Sequence, residues 1–90
     1  MIDPSLPGAD LVAKGLADLG EGLGSIEALL VSIGAPRLGR LGVQVPGPLE
    51  DPEHRLWRAL ARDDPDAAHA RYNALVRRLV SFEDALACAA

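Results

Sequence analysis

Residues 64–88, DPDAAHARYNALVRRLVSFEDALAC, place Ala68, Tyr72, Leu75, Leu79, Phe82 and Leu86 at alternating spacings of four and three. That interval is the repeat of a heptad seam along one face of a single helix. A helix of about 24 residues is about 36 Å long at about 1.5 Å per residue, whereas a spherical domain of 90 residues is about 30 Å across. The stripe therefore predicts a helix as long as its own domain, whose apolar face must be covered by the other helices of this chain, by a second copy or by another protein, with a second copy the leading expectation. The expected contact residues are Tyr72, Leu75, Leu79, Phe82 and Leu86, flanked by Arg71 and Arg78, which lie seven apart along one side of the seam.

The rest of the composition agrees with a helical class. Fifteen Leu and fifteen Ala stand against one Phe, one Trp and one Tyr, so the apolar content is that of helix formers, with few aromatic residues to favour strands. One small all-α domain over residues 1–90 is predicted, a bundle of four to five helices that closes with a helical hairpin. Such a small core is marginal in isolation, a second reason to expect a homodimer or larger assembly. A net charge of −4 and a pI near 4.9 oppose wholesale attraction to nucleic acid or to an anionic membrane. No window holds the 18 or so continuous apolar residues of a membrane span. The single Cys88 permits no intrachain disulfide, and residues 1–5 carry neither the basic stretch nor the apolar run of a secretory signal, so a reducing, cytoplasmic setting is expected.

Residues 1–9 read as an extended lead-in. Leu11, Val12, Leu16 and Leu19 then recur at helical spacing, with Asp10 or Ser5 as the expected cap, until Gly20, Gly22 and Gly24 break the pattern. Ser25 caps a second helix that ends at Gly34, and Ala35-Pro36 opens a short third one stopped by Gly42. Residues 43–50 have the proline and glycine chemistry of an internal hinge. Asp51-Pro52 and Asp64-Pro65 repeat one helix-start signal, in which aspartate accepts free backbone N–H groups and proline fills a position that needs no donor.

Four constellations bear on function. Arg55, Arg58 and Arg62 share one face of the helix that starts at Pro52 and form a candidate anion-binding set; no carboxylate lies three or four residues from Arg58, Arg71, Arg77 or Arg78. Residues 25–42 have the outline of a helix-turn-helix, which makes a DNA-binding regulator the alternative function. Leu30 stands where a small residue is usual, and Arg40 where an apolar one is. Gly20-x-Gly22-x-Gly24-Ser25 lacks the preceding strand and following lysine of a phosphate loop and reads as an interhelical turn. His54 and His69 have no partner at metal-ligand spacing and read as surface residues; a small enzyme that uses one of them in a cleft is the third hypothesis.

No catalytic residue, metal ligand or cofactor site is assigned from sequence. His54-x-x-Trp57 and His69-x-x-Tyr72 echo each other, and that echo is read as coincidence between two amphipathic helices. Trp57 and Tyr72 are read as core anchors of the hairpin, and Asn73 as solvent-facing. The leading expectation is a non-enzymatic interaction or oligomerisation protein.

Overall fold

A computed structural model describes residues 2–89. The chain is all-α, with α1 (Ala9–Gly20), α2 (Ile26–Ile33), α3 (Ala35–Arg40), α4 (Pro52–Asp63) and α5 (Ala68–Ala89). Short-range chemistry sets most of the boundaries. Ser25 caps α2 with its hydroxyl, which accepts from the Ala28 N–H at 3.0 Å. Helices α1 and α3 end in the same left-handed glycine motif. The N–H of Leu23 reaches Asp18 O at 2.8 Å across Gly22, and that of Val43 reaches Leu38 O at 2.8 Å across Gly42.

Three expected caps differ. Helix α1 starts after Gly8 (φ 76°) without a side-chain cap, Asp10 lies in its first turn, and Ser5 is held by Asp3 Oδ1 instead. Asp51 takes φ 49° and its side chain caps nothing, because that left-handed backbone turns the carboxylate away from the first N–H groups of α4. Asp64 does accept from the N–H groups of Asp66 and Ala67, but this closes a turn over 65–67, and α5 begins only at Ala68.

The core is built on α2. Ala28, Leu29, Leu30, Val31 and Ser32 are buried in succession, as expected of a helix enclosed on every side. Val12 and Leu19 of α1, Leu38 of α3, Leu56 and Leu60 of α4, and Ala68, Leu79 and Phe82 of α5 complete one cluster around it. Helix α1 approaches so closely that a Cβ at Gly15 would lie 2.4 Å from the Glu27 carbonyl oxygen. Helix α5 crosses the α2–α3 corner, where a Cβ at Gly34 would lie 3.1 Å from Leu79. Ser32 is the polar exception within α2. Its hydroxyl donates to Ala28 O at 2.8 Å and accepts from the Leu49 N–H at 3.0 Å, tying residues 43–50 to the central helix.

The length premise behind the expected association is overturned. Helix α5 has 22 residues, about 33 Å, and the molecule is elongated, 38 × 25 × 19 Å. A prolate body accommodates α5 where a sphere would not. Phe82 is fully buried and Leu79 is 3% exposed, so this part of the seam packs into the chain's own core.

Candidate functional site

The hairpin of α4 and α5 forms an open cleft of about 490 Å3 lined by Asp51, Glu53, His54, Trp57, His69, Tyr72 and Asn73. Its position follows from angular placement on α4. Leu56 and Leu60 point into the core, and Trp57 lies one residue further round, toward α5. Trp57 is therefore 39% exposed, which corrects the reading of it as a core anchor. His69 and Tyr72 meet it edge-on, with ring centroids at 6.1 and 6.3 Å and interplanar angles of 74° and 68°. That edge-to-face geometry is favoured by the ring quadrupoles. The two halves of the sequence echo converge here, since His54 and Trp57 come from α4 and His69 and Tyr72 from α5.

The polar groups of the cleft do not form a proton-transfer pair. His69 Nε2 stands 3.2 Å from Asn73 Nδ2; when the imidazole is neutral, the amide donates to Nε2 and the ring proton resides on Nδ1. No carboxylate is hydrogen-bonded to His54 or His69 among the described residues. Burial, and secondarily the charge of Glu53, push the Tyr72 phenol above its ordinary pKa, which keeps it a neutral hydroxyl rather than an activated one. Among the described residues, no three His, Cys, Asp or Glu side chains are grouped to hold a metal ion. The arrangement is an open aromatic cleft with hydrogen-bonding groups at its rim.

The remaining sequence-derived residues are dispersed. Leu75 is half-buried, and Leu86 lines a second, apolar groove of about 790 Å3 with Ile2, Leu6, Leu16, Val43 and Phe82. Arg71 and Arg78 are engaged within the chain: Arg71 donates to Asp63 at 2.6 Å, and Arg78 to Asp10 at 3.0 Å. Arg55, Arg58 and Arg62 do come together, along a third groove beside Gly24 and Leu29. The helix-turn-helix outline becomes a buried α2 followed by a six-residue α3. Arg37 of α3 is occupied by Asp84 at 2.8 Å and by the buried Glu83 at 3.4 Å, while Arg40 is exposed. Sequence reasoning missed Val80, which is 39% exposed on the flank of α5 that also carries His69, Asn73 and Val76. Helical spacing of 69, 73, 76 and 80 carries that signal; it was obscured by the stronger seam beside it.

No helix among the described residues is long and apolar enough to cross a membrane. Comparison of the chain with protein-family models, with curated proteins and with solved structures finds no match. The functional reading therefore rests on the geometry of this molecule.

Proposed function

We propose that this chain is a non-enzymatic interaction module that pairs with a second copy of itself through the outer face of the α4–α5 hairpin. The observation that carries this reading is the exposure of Trp57 beside His69 and Tyr72, continued along α5 by Val76 and Val80. Half-exposed aromatic side chains next to an open cleft are the usual energetic centre of a protein interface. Charge supports a second copy as the occupant. Asp51 and Glu53 lie at the α4 edge of the face and Arg77 lies further along α5, and none of the three has an ion-pair partner among the described residues. A two-fold axis through the cleft sets the acids of one copy against the arginine of the other, since an isologous interface is self-complementary. The interface residues differ from the seam: Tyr72 remains, while Trp57, Val76 and Val80 replace Leu79 and Phe82. A cytoplasmic setting accords with the exposed, unpaired thiol of Cys88.

Light scattering coupled to size exclusion tests the reading. Wild type should elute as a dimer, and Trp57→Ala should be monomeric with its helical circular dichroism retained. Trp57 is the only tryptophan, so its emission should shift to the red as the wild-type chain is diluted. A wild-type monomer at every concentration, or a dimer indifferent to Trp57→Ala, rejects the proposal.

A further inference from the structure

The groove on the opposite side of α4 belongs to none of this. It is lined by Gly24, Leu29, Arg55, Arg58, Ala59 and Arg62, encloses about 220 Å3, and has no carboxylate in its walls. We infer that it binds a small molecule carrying adjacent phosphoryl groups.

The first support is the distribution of ion pairs. Lys14, Arg37, Arg71 and Arg78 each have a carboxylate partner, whereas Arg40, Arg55, Arg58, Arg62 and Arg77 have none among the described residues, and three of those five line this one groove. The chain carries a net charge of −4, so acids are abundant, yet three guanidinium groups converge on one concavity without meeting any. Glu27, on the neighbouring α2, lies 3.7 Å from the Lys14 amine instead.

The second support is the charge repulsion that the cluster places on α4, even though Arg62 lies in the last turn, where the helix dipole favours a cation. Like charges three and four residues apart on a helix destabilise it. Arg55 also stands near the N-terminus of α4, where the helix dipole opposes a cation. An anion in the groove reverses both penalties.

The third support is the shape. Arg55 is oriented by a hydrogen bond from Nη1 to the Glu50 carbonyl at 3.2 Å, and Gly24 presents bare backbone beside it. Arg55 to Arg62 spans about 10 Å along the helix axis. Long guanidinium side chains on consecutive turns of one helix can each make bidentate contacts to one of two neighbouring phosphoryl groups. The volume lies below the range of about 300–1,000 Å3 typical of pockets for larger organic ligands, which favours recognition of the anionic group itself over an extended scaffold.

The test is titration calorimetry at low salt with inorganic pyrophosphate and, separately, a nucleoside diphosphate. Saturable binding of either with a Kd below about 1 mM is expected, and the tighter one identifies the source of the phosphoryl groups. Arg58→Lys keeps the charge and should still weaken binding about tenfold, because a lysine cannot supply the planar fork. Arg58→Ala with Arg62→Ala should abolish binding, while Arg77→Ala and Arg40→Ala should leave it unchanged. The inference is overturned by absence of saturable binding, by equal loss in Arg77→Ala, or by a random DNA duplex binding more tightly than either small ligand. Trp57→Ala, which tests self-association, should not alter the titration, so the two proposals fail independently.

Discussion

Helix α2 is eight residues long and buries five of them in succession, whereas α5 has 22 residues and buries Ala68, Leu79, Phe82 and Glu83. The shorter element organises the core because α1, α3, α4 and α5 all pack around it. The longer one carries the longer run of regularly spaced apolar residues but forms an outer wall, with one side on the core and the other in solvent. Length and pattern strength on a sequence thus rank helices differently from enclosure in the fold.

The contrast can be broken at single positions. Leu30, fully buried on α2, should lose about 2–5 kcal/mol of stability on substitution by alanine, while Leu75→Ala on the half-buried part of α5 should lose less than half as much. Urea denaturation of both variants decides it; equal losses would place α5 on the same footing as α2. Next in size is Gly15→Ala. Alanine ordinarily improves a helix, but here the added methyl meets the Glu27 carbonyl at 2.4 Å and should cost about 1–3 kcal/mol by forcing α1 away from α2. Gly39→Ala, with open space around it, should be neutral or stabilising, and thermal melts of the pair separate crowding from propensity. Ser32→Ala should cost about 1–2 kcal/mol, because the Leu49 N–H loses its acceptor, and its denaturation midpoint should fall accordingly.

The smallest expected effect is a pH dependence that differs between α5 and the α1–α2 junction. Burial pushes the Glu83 carboxyl of α5 above its ordinary value of 4.5, partly offset by the charge of Arg37. The folded chain therefore holds that proton more tightly than the unfolded chain does. The associated stability is complete below 4.5 and is lost as pH rises through the higher folded value. Asp18, which accepts from Lys14 at the C-terminal end of α1 and from the Ser25 cap of α2, is lowered from 3.8 by those hydrogen bonds. Its contribution is present above 3.8 and is lost as pH falls through the lower folded value. Melting temperature against pH should thus decline above 4.5 in the wild type, less so in Glu83→Gln. An unchanged slope in that variant would remove Glu83 as the cause.

Much of the local architecture was legible. Ser25 and the terminating Gly42 act through groups within a few residues, and the apolar repeats of α1 and α5 include the residues that reach the core, Val12 and Leu19 on α1 and Ala68, Leu79 and Phe82 on α5. The Asp51 cap was not legible, because an Asp-Pro pair carries no sign of the left-handed backbone that Asp51 adopts. The partners of Arg71 and Arg78 also lay beyond local reading: Asp63 is eight residues away across the hairpin turn, and Asp10 is 68 residues away on α1. Trp57 was placed in the core on residue type, although its position beside Leu56 on α4 rotates it onto the flank. The arginine face was legible from spacing alone; its concavity was not, since Gly24 and Leu29 form the opposite wall.

The doubly bonded hydroxyl of Ser32 has a consequence for how the molecule opens. Because it joins Ala28 O to the Leu49 N–H, the proline-rich crossing between the two halves of the chain cannot lift without disturbing the central helix. In deuterium exchange, the Leu49 amide should be among the slow protons despite lying in an irregular stretch. Its uptake should track that of α2 rather than that of the surrounding loop.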